Sequence, residues 1–235
     1  MQKIYIYIGD IEGLLMSPSK YKEYLKFLSA ERQAKTDKIK PYESKCRSVG
    51  AGILLDEALK ELGLCEKDMS YTYGEVGKPC FVNYPNLFFN LSHSGSRVMC
   101  VMGDVPVGCD IERIRKVNPG IEKRFFSGKD NELLYDAKQK GEQEYRNRFY
   151  TLWTLKESYI KCIGLGLKCP MNSFSFVPIE TEYGIEDKPE YVFHTDVEKI
   201  LEKEEANAKT IDGYAYSVCV NSIKMPDLKI SKILL

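Results

Sequence analysis

The chain has 235 residues, of which 43% are hydrophobic and 29% charged, with 34 Lys and Arg balanced by 34 Asp and Glu. That size allows a substantial core in one large domain or two smaller ones. Zero net charge argues against a dedicated nucleic-acid binder, which would carry a basic excess, yet it leaves room for a local basic patch facing an anionic ligand.

In chain order, Ile4 to Ile8 reads as a buried strand, β-branched and aromatic, ended by Gly9-Asp10. Ser19 to Leu28 reads as a helix, and Ser29 as the N-cap of another. A longer helix runs from Ser44 to Leu62, with Val49, Ile53, Leu54, Ala58 and Leu62 at helical spacing and Gly63 as its stop. Tyr71 to Lys78 reads as a strand and turn punctuated by Gly74, Gly77 and Pro79. Phe88 to Ser92 and Val98 to Met102 form strands about the turn Ser94-Gly95-Ser96, and Val105 to Ile111 a third strand. Helices follow at Glu122 to Phe126, Asp130 to Lys138 and Arg146 to Ile163, the last stopped by Gly164-Leu165-Gly166. Phe174 to Val177, Tyr191 to Phe193 and Tyr214 to Val220 read as strands, and the charged stretch Glu198 to Lys209 as a solvated helix or loop. Short strands mixed with helices in this order predict an α+β fold.

The eight cysteines include no C-x-x-C pair and no Cys–His cluster of zinc-like spacing. A reduced, cytoplasmic setting is expected. Residues Met1 to Leu15 are not expected to act as a signal peptide, because Asp10 and Glu12 interrupt a short alternating run. No segment is long and apolar enough for a membrane span.

Four segments carry candidate chemistry. In Gly108-Cys109-Asp110-Ile111-Glu112, strand alternation puts Asp110 and Glu112 on one face, half of an oxygen-ligand site for a hard cation such as Mg²⁺. Any solvated strand face can carry the same two acids. In the helix around Trp153, Glu157 and Lys161 are four residues apart on one flank. They suit a third metal carboxylate with a phosphate-binding lysine, or an exposed pair contributing about 0.3–0.5 kcal/mol. Asn90-Leu91-Ser92-His93-Ser94-Gly95 is a turn offering N–H groups, hydroxyls and an imidazole to a phosphate, or a plain hairpin. Gly74-Glu75-Val76-Gly77-Lys78-Pro79 lacks the glycine spacing and Ser/Thr of a P-loop, which excludes that NTPase motif and leaves a turn presenting Lys78.

Taken in order, Gly77 to Pro79, Asn90 to Ser94, Gly108 to Glu112, Arg124-Phe125-Phe126-Ser127 and Trp153-x-x-Lys-Glu-Ser-x-x-Lys161 resemble the surfactin-synthetase-activating (Sfp-type) class of 4′-phosphopantetheinyl transferases. The likeness runs from about Lys3 to Val220. It implies two similar α/β subdomains forming a pseudo-dimer in one monomeric chain, residues 1–104 and 105–235, with coenzyme A between them. It implies a transferase that moves phosphopantetheine from coenzyme A to a serine of an apo acyl or peptidyl carrier protein, as in fatty-acid, polyketide or nonribosomal peptide synthesis. By the same resemblance Asp110, Glu112 and Glu157 hold Mg²⁺. Glu157 and Lys161 are catalytic, and Arg32, Lys35, Arg47, Lys78, Pro79, Ser92, His93 and Lys156 contact coenzyme A. Cys109 departs from the usual aliphatic residue at a core-facing position, and Gly128 to Glu132 departs near the expected carrier-docking surface. The alternative is a non-catalytic module that binds coenzyme A or carrier proteins; a complete carboxylate triad speaks against it.

Overall fold

The computed structural model describes residues 3–179, 182–185, 187–199 and 213–235. The fold is α+β. The chain divides into two compact units, Met1–Gly108 with Pro226–Leu235, and Cys109–Met225.

In the first unit, β1 (Lys3–Asp10) is followed by four helices, α1 (Glu12–Met16), α2 (Pro18–Leu25), α3 (Ala30–Asp37) and α4 (Tyr42–Lys60). Ser17 caps α2 ahead of Pro18. Ser29 caps α3 as the sequence predicts, its hydroxyl accepting from the Arg32 N–H at 3.3 Å. Helix α4 is buried on nearly all sides rather than along one stripe, and Leu62 lies past its end, 46% exposed. Gly52 allows α3 to approach this closely: a Cβ there would lie 2.5 Å from Arg32 Cδ and 2.9 Å from Leu28.

Two hairpins complete the unit. β2 (Tyr71–Tyr73) pairs with β3 (Pro79–Phe81) through a turn in which Gly77 takes a φ of 82°. β4 (Phe88–Ser94) pairs with β5 (Arg97–Gly103). The four-stranded sheet is ordered last strand, β1, β5, β4, and the last strand, Asp227–Leu234, runs parallel to β1. Leu235 then donates its N–H to Asp10 O at 2.8 Å and buries its side chain. This strand has no counterpart in the elements predicted from sequence. It is a lysine-bearing edge with an alternating, half-exposed pattern, and so lacks an apolar run.

The second unit is built around β6 (Val107–Arg113), which enters from the first unit. α5 (Ile121–Phe125), α6 (Gly128–Gln139) and α7 (Glu142–Ile163) follow, then the hairpin β7 (Phe176–Ile179) and β8 (Glu182–Ile185). β9 (Tyr191–Lys199) and β10 (Gly213–Asn221) come next, and the last strand is β11. The sheet order is β6, β10, β9, with α7 packed on β10 and β9. Helix α7 starts at Glu142, four residues before the predicted start; Glu142 and Glu144 in its first turn suit the positive end of the helix. It ends on Gly164 at φ 70°, the left-handed cap the sequence predicts. From Ile200 onward the predicted charged helix or loop lies outside the described residues, while Glu198 and Lys199 close β9.

Candidate active site

The burial pattern of α7 selects its working residues. Between Phe149 and Cys162 every residue is buried except Trp153, Glu157 and Lys161. These are spaced four apart, so they form one stripe along the helix. Trp153, apolar by type, borders the open side, its ring stacked on Phe149 at 5.9 Å and edge-on to Phe125 at 5.2 Å.

Strand β6 supplies the facing acids. Val107, Cys109 and Ile111 are fully buried, as alternation predicts. Asp110 is only 4% exposed, so the solvated-face reading of this strand fails. A buried carboxylate needs a compensating charge. Lys161 Nζ provides it, donating to Asp110 Oδ1 at 2.6 Å. Glu157 lies in the same field: burial first, then Asp110 and Glu112, push its pKa up, against the opposing pull of Lys161. For Lys161, burial works against the ammonium, but Asp110, Cys109 and Glu157 together outweigh it and the pKa is raised.

The donor chemistry of Asp110, Glu112 and Glu157, all carboxylate oxygens within electrostatic reach of one another, fits a hard divalent cation. Among the described residues, no three of His, Cys, Asp and Glu are grouped closely enough to clasp an ion by themselves. Lys161 holds the Asp110 oxygen in this arrangement.

Lys156 does not fit the expected coenzyme contact. Adjacent residues on a helix point about 100° apart, and Lys156 faces the core, 0% exposed. Its ammonium pairs with Asp130 Oδ2 at 2.8 Å and donates to Met171 O at 2.8 Å and Phe174 O at 2.5 Å. Burial lowers its pKa, with Asp130 opposing. Lys156 is a structural clamp.

Beside Glu112 opens a cleft of about 360 Å³ bordered by Arg115, Lys116, Asn118, Tyr150 and Trp153. The sequence reading passed over this rim. The signal available was the basic pair Arg115-Lys116 directly after the acidic strand.

The first unit gathers the remaining predicted residues around its own elements. Arg32 donates through Nε to Glu66 Oε1 at 2.8 Å and lies over the Tyr71 ring at 5.7 Å. Glu66 is fully buried and also accepts from Ser29 N, Ser29 Oγ and Tyr71 Oη. Lys35 lies exposed near Tyr73, 6.0 Å from the ring. Burial, and then Arg32, lower its pKa. Lys35 thus stands in the field of a cation that is itself paired with Glu66. Lys78 Nζ donates to Val107 O at 3.0 Å, while Pro79 opens β3. Arg47 braces the β4–β5 turn through Gly95 O at 3.1 Å; on β4, Ser92 is buried and His93 exposed.

The family model for the 4′-phosphopantetheinyl transferase superfamily matches residues 106–219. The chain is 36% identical over 162 residues to 4′-phosphopantetheinyl transferase Sfp of Bacillus subtilis (strain 168), covering 68% of this chain and 70% of that protein. It belongs to the 4′-phosphopantetheinyl transferase superfamily. Similarity extends to 4′-phosphopantetheinyl transferase ffp of Bacillus subtilis, 38% identical over 64% of this chain and 66% of that one. It extends also to 4′-phosphopantetheinyl transferase gsp of Aneurinibacillus migulanus, 34% identical over 74% and 68%. The superfamily match contains Asp110, Glu112, Glu157 and Lys161, together with the cleft beside them.

Proposed function

We propose that this transferase moves 4′-phosphopantetheine from coenzyme A to a serine of an apo acyl or peptidyl carrier protein, with Mg²⁺ held by Asp110, Glu112 and Glu157. The observation that carries the proposal is the stripe Trp153, Glu157, Lys161, the part-exposed positions of an otherwise buried helix segment, with Glu157 in the field of Asp110 and Glu112. A divalent cation bound there would offset diphosphate charge as the bond breaks. Arg32 and Lys35 bind the 3′-phosphate. Arg47, Lys78, Pro79, Ser92 and His93 bind the remaining nucleotide and phosphate groups. Glu157 takes the proton of the carrier serine. The serine oxygen attacks the β-phosphorus, the bridging P–O bond breaks, and adenosine 3′,5′-bisphosphate leaves. Lys161 donates to the phosphate oxygens as charge builds on the leaving group. A cytoplasmic monomer is part of the proposal; all eight cysteines are free thiols, in keeping with a reducing compartment. Among the described residues no helix is long and apolar enough to cross a membrane.

The test is incubation with coenzyme A, MgCl₂ and two apo carriers, one of fatty-acid and one of peptide-synthetase type, followed by intact mass spectrometry. A gain of one phosphopantetheine, abolished by chelator, is expected. Unmodified carriers of both kinds in the presence of bound coenzyme A would overturn the assignment in favour of a binding module.

A further inference from the structure

We propose that Lys161 is a built-in counter-cation that fills the electrostatic place of the divalent ion at Asp110 until a diphosphate draws it away, so that metal and diphosphate bind together. The inference rests on the reading of Asp110, Glu112 and Glu157 as metal ligands. Its basis is the geometry of the second unit. Asp110 is nearly sealed from water, with a side chain 5% exposed, and a bare carboxylate there would be costly. Lys161 reaches it from the open stripe of α7, with Nζ 2.6 Å from Oδ1 and its own side chain 29% exposed. The pairing joins a buried acid to a part-exposed base on a flexible four-carbon stem. The acid is fixed on a buried strand, whereas the ammonium is carried by a part-exposed side chain.

A divalent cation at Asp110 and an ammonium on the same carboxylate repel strongly in a low-dielectric setting. Metal alone must therefore push Lys161 off Asp110 against the repulsion between the two cations. A diphosphate changes this, because its oxygens give the displaced ammonium a new anionic partner on the same side of α7. Each ligand thus raises the affinity for the other by the same factor. The arrangement offsets the buried Asp110 charge when no coenzyme is bound and disfavours futile metal uptake.

The experiment is calorimetric titration of MgCl₂ into the wild type and Lys161→Met, each with and without saturating coenzyme A. In the wild type, coenzyme A should tighten Mg²⁺ binding at least tenfold. Lys161→Met should bind Mg²⁺ alone at least tenfold more tightly than the wild type and lose most of the coupling. Mg²⁺ binding to Lys161→Met alone that is unchanged or weaker overturns the inference while leaving the metal reading intact. Absence of Mg²⁺ uptake by both proteins, even with coenzyme A bound, overturns the metal reading and the inference together. Thermal melting of Lys161→Gln across an MgCl₂ series covers the case in which the methionine variant folds poorly. A larger metal-induced rise in melting temperature than in the wild type supports the role, and an equal or smaller rise overturns it.

Discussion

Glu157 and Lys78 separate the two kinds of work that single side chains do here. Glu157 has a part-exposed carboxyl on the open stripe of α7, beside Asp110 and Glu112, a position that suits a proton acceptor. Glu157→Gln keeps the shape and removes that capacity. Transfer should fall by about 10²–10⁴, the usual range for loss of a positioned acid or base, with the melting temperature held. Steady-state rates at saturating MgCl₂ check this, and near-normal turnover would remove Glu157 from the mechanism. Lys78 is different, because its ammonium already holds Val107 O at 3.0 Å, tying the β2–β3 turn to the start of β6. Lys78→Ala should raise the apparent KM for coenzyme A severalfold with little change in kcat; an unmoved KM would leave Lys78 as that brace alone. Sequence spacing made Glu157 and Lys161 visible, since positions four apart share a flank. It did not separate Lys156 from them, because the motif places Lys156 next to Glu157 without saying which lysine faces the core. The period of four that begins at Trp153 carries that information, but Trp153 reads as core by composition.

At the scale of elements, the Lys156–Asp130 pair joins three pieces of chain. Asp130 caps α6 through Ser127 N and accepts from Phe176 N at 2.8 Å, while Lys156 on α7 holds the carbonyls of Met171 and Phe174. Both side chains are fully buried. Removing one partner leaves an uncompensated buried charge, which costs about 3–5 kcal/mol. Lys156→Met should lower the stability of the protein by that amount in urea unfolding, with KM for coenzyme A unchanged in the folded protein. A raised KM with normal stability would return Lys156 to the binding site. The elements themselves divide by how their burial arises. The β4–β5 hairpin and the ends of α3 and α7 were legible because local chemistry fixes them: a Ser-Gly-Ser turn, a serine cap, a glycine stop. β11 was not, because its partner β1 lies more than 200 residues away in sequence and its own letters read as an exposed, lysine-bearing edge. The burial of Asp110 was equally out of reach, since it depends on a lysine supplied by α7.

Among the described residues, a recurring device is a buried or half-buried tyrosine that donates to a carboxylate from another element. Tyr7 donates to Glu61 at 2.9 Å, Tyr71 to Glu66 at 2.5 Å, and Tyr145 to Glu122. Burial first, and next the carboxylate for Tyr7 and Tyr145, push these phenols above their ordinary pKa; for Tyr71, Arg32 opposes the rise without cancelling it. The sign of the pH dependence follows from proton counts. In the unfolded chain a tyrosine loses its proton near pH 10, while in the folded protein these three keep theirs to higher pH. Above pH 10 the unfolded state therefore binds fewer protons, and stability falls as pH rises. Each tyrosine contributes a slope of about 1.4 kcal/mol per pH unit in that window. Urea midpoints at pH 9, 10 and 11 should show little change over the first step and a steep loss over the second. Tyr145→Phe should be less stable at pH 9, having lost a hydrogen bond, yet fall less steeply between pH 10 and 11 by about one tyrosine's share. If the variant and the wild type lose stability in parallel over that step, the Tyr145 hydroxyl ionises as freely in the folded protein as in the unfolded chain. Its bond to Glu122 would then have no energetic weight.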